Sequence, residues 1–188
     1  MVSTELIGRE DDCRHVGGLL GDHRIVTLVG PGGIGKTRLA TEVSRAVERS
    51  FPGGVLISEL SGVAAQDDLE PVVARQLGFD SLDAVRVQAS GTRTLVVLDN
   101  CETALSQASG VARELADPTS DVVVLATSRA PLQAPGERVV TIDALGLPEL
   151  DEPDAVREAA AAKLFIDRAE AAGPSWAFDD ANLLAIGR

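Results

Sequence analysis

Val26-Thr27-Leu28-Val29-Gly30-Pro31-Gly32-Gly33-Ile34-Gly35-Lys36-Thr37-Arg38-Leu39-Ala40 is the stretch that decides the fold. A short apolar, β-branched run enters a glycine-rich turn, and a helical pattern leaves it, with Leu39, Val43 and Val47 recurring every fourth residue. From Gly30 to Thr37 the turn matches G-x-x-x-x-G-K-[ST] without exception. The chemistry of phosphate binding explains the spacing. Glycines let the backbone curl until successive amides point inward, and a helix beginning at Lys36 adds the partial positive charge of its amino end. The lysine reaches the outer phosphates and the threonine hydroxyl meets a Mg²⁺ ion. Gly30, Gly32, Gly33, Ile34, Gly35, Lys36, Thr37 and Arg38 are therefore the candidate nucleotide-binding residues, with Thr37 also a metal ligand.

Outward from this turn the chain alternates between two periods. Five apolar runs of strand length, 25–29, 55–60, 94–98, 122–126 and 139–142, are near-continuously hydrophobic. That is the pattern of strands buried on both faces. Helical patterns separate them. One follows the turn and stops at Phe51-Pro52-Gly53-Gly54. A second carries Leu69, Val72, Val73 and Leu77 between Asp67-Asp68 and Gly78. A third runs over about 104–116 and ends at Asp117-Pro118. Strand–helix–strand alternation means parallel pairing, hence a three-layer α/β domain. Near residue 146 the character changes. Asp151-Glu152-Pro153 reads as a helix start, 154–172 is alanine-rich and helical up to Gly173-Pro174, and another helix starts near Asp179-Asp180. The expected organisation is a nucleotide-binding domain over 1–148 and the beginning of a small helical subdomain over 149–188, cut inside its second helix.

Composition narrows the functions available. The net charge of −12 argues against a nucleic-acid partner for this segment, because backbone phosphates need a basic surface. A single nucleotide, held by local amides and one lysine, is not excluded. Only Lys36 and Lys163 are lysines among 17 basic residues, which makes Lys36 conspicuous. No apolar run reaches the roughly 20 residues of a membrane span. The start lacks the basic and apolar regions of a signal peptide, so the expected compartment is the cytoplasm. Cys13 and Cys101 have no metal-ligand spacing and read as reduced thiols. His15 and His23 have no matching ligand set, and Trp176 and Phe178 read as packing residues of the helical part.

Two further constellations bear on chemistry. Leu95-Val96-Val97-Leu98-Asp99 is an apolar strand that delivers an acid at its carboxyl end, 62 residues beyond Thr37, where it could hold Mg²⁺ directly or through water. The residue after it, where many hydrolysing proteins carry a second acid to polarise water, is Asn100. An amide cannot act as a base. Glu102 is near but offset by two residues, so slow hydrolysis is expected. Thr127-Ser128-Arg129, at the end of the fourth run, offers an arginine that could report on the terminal phosphate. Its plainer reading is a loop arginine paired with a surface acid.

Taken as a set, these segments resemble the STAND class of signal-transducing P-loop ATPases of the NB-ARC type. They are most similar to the ATPase domains of antibiotic regulatory (SARP) proteins and large LuxR-type transcriptional regulators. The resemblance rests on Glu5-Leu6-Ile7-Gly8-Arg9-Glu10, on 26–40, on Leu95-Val96-Val97-Leu98-Asp99-Asn100-Cys101-Glu102 and on Leu125-Ala126-Thr127-Ser128-Arg129-Ala130-Pro131-Leu132. Gly136-Glu137-Arg138-Val139-Val140 before Leu145-Gly146-Leu147-Pro148-Glu149 belongs to it too. It implies a P-loop NTPase fold, AAA+/STAND-like, with a five-stranded, mainly parallel sheet followed by the start of a small helical subdomain. It also implies that Ile7, Gly8 and Arg9 line the adenine and ribose side, that Lys36, Asp99 and Arg129 are the catalytic and sensing residues, and that Thr37 and Asp99 hold the metal. The Asp99-Asn100-Cys101-Glu102 variant is a trait of this subgroup. The family's proline motif that packs on adenine would follow Arg188.

The expectation is an ATP/ADP-binding switch domain of a multidomain bacterial transcriptional regulator, loaded with ATP or ADP and Mg²⁺, with weak ATPase activity that acts as a timer. Its partners would be nucleotide, the other domains of the parent regulator and, in the ATP state, further copies of itself. Two alternatives stay open. One is a P-loop ATPase or kinase with genuine turnover, although 100–150 lacks the arginine cluster of a kinase lid. The other is a scaffold with a degenerate site.

Overall fold

The computed structural model describes residues 6–63, 67–147 and 153–173. They form two compact units, Asp12–Asp143 and a smaller one made of the described parts of Met1–Asp11 and Ala144–Arg188. The expected helix near Asp179-Asp180, Trp176 and Phe178 lie outside the described residues.

The larger unit is built on five strands, β1 (Ile25–Val29), β2 (Val55–Glu59), β3 (Thr94–Asp99), β4 (Val122–Ser128) and β5 (Glu137–Thr141), in the order β2-β3-β4-β1-β5. All four pairings are parallel. Ile25 pairs with Val124 and Glu137, and Thr94 pairs with Val122. The carboxyl ends of every strand therefore lie along one edge, where ligands bind in open α/β sheets.

The interior strands are those with unbroken apolar sequence. β3 and β4 are buried at every position, β1 at all but Val29. The expectation of five fully buried strands does not hold at the sheet's margins. β2 and β5 are edge strands, and Ile57 and Val139 are exposed there. An edge strand has one neighbour, so half its flank is left to solvent.

Helices cover both faces. α2 (Lys36–Val47) buries Leu39, Ala40 and Val43 against β1, β3 and β4. α1 (Glu10–Asp22), whose first two residues belong to the smaller unit, buries Val16 and Leu20. A Cβ on its Gly17 would stand 3.2 Å from Val47 Cγ1, so the glycine permits close approach to α2. The opposite face packs on α3 (Leu69–Gln76), α4 (Leu82–Gln88) and α5 (Leu105–Leu115), through Val73, Leu82, Leu115, Val96, Leu98 and Val124 among others. Each such fully buried side chain contributes roughly 1.5–3 kcal/mol.

Two helices of this unit are not apparent in the sequence pattern. Gly17-Gly18 lowers the helical propensity of α1, and α4 is only two turns long. α4 still carries a local start signal, Ser81 Oγ accepting from Ala84 N at 3.2 Å. α3 is capped over long range instead: Leu69 N donates to Gln107 Oε1 of α5 at 2.9 Å, and the Asp68 side chain makes no cap bond.

In the smaller unit α6 (Pro153–Glu158) opens with proline, as a first helical turn allows. The expected single helix over 154–172 is broken at Ala159, which is extended at φ −63° and ψ 131°, and α7 (Ala160–Ala172) follows. No glycine or proline marks that break. Val156 and Ala162 are buried, with Ile166 packed on them.

Candidate functional site

The turn between β1 and α2 is shaped by its glycines. Gly33 and Gly35 have φ of 78° and 99°, a region costly for any residue with a Cβ. Gly30 is required for a different reason: a Cβ there would lie 2.9 Å from Ile142 O and 3.3 Å from Ile34 Cγ2. Gly30 N donates to Ser128 O at 3.3 Å, tying the turn to the end of β4. Gly35 precedes α2 with no side-chain cap, so the amino end of the helix faces the turn.

Lys36 is only 7% exposed. Its Nζ donates to Gly30 O at 2.8 Å and Pro31 O at 3.0 Å, which holds the cation inside the curl of the loop. Thr37 Oγ1 donates to both carboxylate oxygens of Asp99 at 2.9 Å. The two expected metal ligands, 62 residues apart, are thus in direct contact.

Asp99 is buried and heavily hydrogen-bonded. Thr127 Oγ1 donates to its Oδ1 and Asn100 Nδ2 donates to its Oδ2 at 3.3 Å. The Thr127 hydroxyl also accepts from Asn100 N at 3.0 Å. Asn100 itself sits in the left-handed region, φ 62° and ψ 43°, which asparagine tolerates better than most residues. The side chain at this position is thus an amide ligand of Asp99, and the residue makes the turn into the 3-10 segment Cys101–Ala104. Cys101 is sealed beneath. Its Sγ donates to Leu98 O at 3.4 Å, and burial, with the Asp99 charge adding, pushes its thiol pKa far up.

Arg129 leaves the end of β4 and lies against the loop: a Cβ on Gly32 would meet its Nη2 at 3.2 Å. Its Nε donates to Glu102 Oε1 at 3.2 Å. A cleft of about 520 Å³ gathers Gly32, Gly33, Gly35, Lys36, Thr37, Arg38, Asn100, Glu102 and Arg129. Arg38 stands on its rim and pairs with Glu42 at 3.2 Å. Ile34 turns inward toward Gly30.

Ile7, Gly8 and Arg9 belong to the smaller unit. Gly8 has φ 68°, its N donates to Glu10 Oε1 at 3.2 Å, and any Cβ on it would collide with Ala160. Ile7 and Gly8 line a separate cleft of about 420 Å³ with Leu6, Glu10, Glu158, Ala160 and Lys163.

The residues fit a Mg²⁺–nucleotide pair. The donors at Thr37 and Asp99 are hard oxygens, and Mg²⁺ commonly takes one or two protein ligands and completes its shell from phosphates and water. Among the described residues no group of three or more His, Cys, Asp or Glu could hold a metal by itself. The sequence marks Thr127 only as part of Thr127-Ser128-Arg129; in the structure its hydroxyl joins Asp99 to the Asn100 turn. Glu102, offset by two residues from Asn100, faces this cleft. Neither contact is visible in the local sequence, since both depend on which strand lies beside β3.

Parallel strands, a glycine-rich loop opening α2 and a carboxylate at the end of β3 define an α/β fold of the P-loop NTPase class. Solved structures share it: Cdc6p from Pyrobaculum aerophilum is 16% identical, covering 98% of this chain and 55% of that one, with a TM-score of 0.62. The Signal Transduction ATPase with Numerous Domains protein with a tetratricopeptide repeat sensor from Pyrococcus horikoshii is 18% identical, covering 95% and 27%, with a TM-score of 0.55.

Among curated proteins the chain is similar to "Putative HTH-type transcriptional regulator Rv0890c" of Mycobacterium tuberculosis, 31% identical over 90% of this chain and 18% of that protein. "Uncharacterized protein Rv0894" of the same organism is 27% identical over 98% of this chain and 46% of that protein. "Regulatory protein AfsR" of Streptomyces griseus is 32% identical over 64% of this chain and 13% of that protein. The chain thus spans less than half the length of each of these relatives. No protein-family model matches it. No described helix is long and apolar enough to cross a membrane.

Proposed function

We propose that this chain is the ATP/ADP-binding switch domain of a larger cytoplasmic transcriptional regulator of the STAND, NB-ARC-like type. The observation that carries the nucleotide reading is the meeting of Thr37 with Asp99 beside a curled glycine loop holding Lys36. The similarity to proteins named as transcriptional regulators, AfsR among them, supports the regulatory setting. Bound Mg²⁺ would supply charge neutralisation between the phosphates. In this reading Lys36 and the loop amides bind the phosphates, Thr37 and Asp99 hold the metal, and Arg129 senses the terminal phosphate. Ile7, Gly8 and Arg9 serve the nucleoside, residues 149–188 begin the helical subdomain, and ATP favours self-association and engagement of the regulator's other domains.

Asn100 supports a timer and not a motor, because its amide is committed to Asp99 and no base stands at that position. The test is nucleotide-dependent stabilisation together with steady-state hydrolysis. Mg·ATP and Mg·ADP should each raise the melting temperature while turnover stays slow. Robust turnover by the isolated protein would replace the switch with a working ATPase or kinase. Failure of both nucleotides to stabilise it would leave a scaffold.

A further inference from the structure

We propose that Glu102 is a specificity-determining residue: by holding Arg129 beside the phosphate loop, it sets how strongly the site prefers a nucleoside triphosphate to a diphosphate. The inference rests on the nucleotide-binding reading above and concerns the same cleft.

Glu102 and Arg129 reach this cleft from different strands. Glu102 rides on the 3-10 turn after β3, fixed by the left-handed Asn100, by buried Cys101 and by Thr103 Oγ1 donating to Leu60 O at 3.1 Å. Arg129 follows β4, with its guanidinium over Gly32. The Nε donates to Glu102 Oε1, while Glu102 Oε2 is buried with no hydrogen-bond partner among the described atoms. A guanidinium has five N–H donors, so Nη1 and Nη2 can still donate to an anion while Nε stays on the carboxylate.

Electrostatics gives the direction. A triphosphate carries more negative charge than a diphosphate, so it gains more from Arg129. The Glu102 carboxylate draws the guanidinium to itself and offsets its charge, so its effect on the triphosphate is exerted through Arg129 and the cleft discriminates weakly. Glu102→Gln keeps the shape and an acceptor oxygen but removes the opposing charge, leaving Arg129 uncompensated. Because Arg129 is 67% exposed, screening keeps the effect modest: roughly two- to fivefold tighter triphosphate binding, with the diphosphate changed less.

The experiment is calorimetric titration of wild type, Glu102→Gln, Arg129→Gln and the double variant with Mg·ADP and with the magnesium complex of the β,γ-imido analogue of ATP. The expected result is a triphosphate-to-diphosphate preference raised in Glu102→Gln, lowered in Arg129→Gln, and no longer responsive to residue 102 once Arg129 is gone. An unchanged ratio in Glu102→Gln overturns the proposal, as does a rise of equal size in the Arg129→Gln background. If wild type binds neither nucleotide, the nucleotide reading falls and the proposal with it. If wild type binds both and the ratio does not move, only the proposal falls.

Discussion

Lys36→Ala isolates the cation at the centre of the loop. Lys36 is 7% exposed, and its Nζ lies 2.8 Å and 3.0 Å from two loop carbonyls, so its position is set before any phosphate arrives. A hydrogen bond to a charged group contributes about 1.5–3 kcal/mol net. Losing about 2.7 kcal/mol of phosphate interaction weakens binding about a hundredfold. With ligand at about 100 times the wild-type Kd, wild type gains about 2.7 kcal/mol. For a protein of this length that is a melting-temperature rise of about 5–11 °C. In the variant the same concentration equals Kd, and the gain falls to about 0.4 kcal/mol, or about 1–2 °C. Without ligand both Lys36→Ala and Lys36→Met lose the donor to buried Gly30 O as well as to Pro31 O, which should cost about 1–3 kcal/mol. The ligand effect is therefore read as the shift from each variant's own baseline. Thermal denaturation across a Mg·ATP series reads this directly. Lys36→Met, which keeps the apolar stem, serves as the packing control. Undiminished stabilisation in both variants would refute the assignment of this loop.

Four other outcomes are expected. Thr127→Val removes the hydroxyl that donates to Asp99 and accepts from Asn100 N; it should cost about 1–3 kcal/mol in denaturant unfolding, and weaken nucleotide binding more with Mg²⁺ than with EDTA, while Thr127→Ser restores both. Gly35→Ala, at φ 99°, should cost about 1–2 kcal/mol and abolish nucleotide-induced stabilisation, although there is open space for the methyl group; an unaffected loop would mean that the backbone conformation is not required. Mg²⁺ alone should leave the melting temperature unchanged, since Thr37 and Asp99 offer only two protein ligands.

Cys101 should resist thiol reagents in the native protein and, by linkage, lower stability in alkali. Its folded pKa is raised, so its contribution is complete below the ordinary value of 9.0 and declines as pH climbs past it. The slope should approach about 1.4 kcal/mol per pH unit. Urea titrations at pH 8 and 10 should show that slope reduced in Cys101→Ala.

Much of the fold was legible because its signals are local. The runs at 94–98 and 122–126 are apolar at nearly every position, and only strands covered on both faces need that. The helix after the loop repeats Leu39 and Val43 on one face, and both are buried. What escaped was stabilised from a distance. α1 contains Gly17-Gly18, and it is held by burying Val16 and Leu20 and by close approach to α2. α3 starts where Asp67-Asp68 indicates, but its first amide is capped by Gln107, 38 residues away, which no local signal shows. The edge position of β2 and β5 could not be read from 55–60 or 139–142, because exposure there depends on where a strand stands in the sheet.

The same division runs through the site. The residue types alone indicated that 30–37 curls, since glycine most readily takes the positive φ seen at Gly33 and Gly35, and that an acid ends the third strand. Strand order was decided by tertiary structure. β4 enters between β1 and β3, which sets Thr127 against Asp99 and brings Arg129 over Gly32 to Glu102. Register in a parallel sheet is chosen by packing both faces and by crossover geometry, neither of which is written within any one strand.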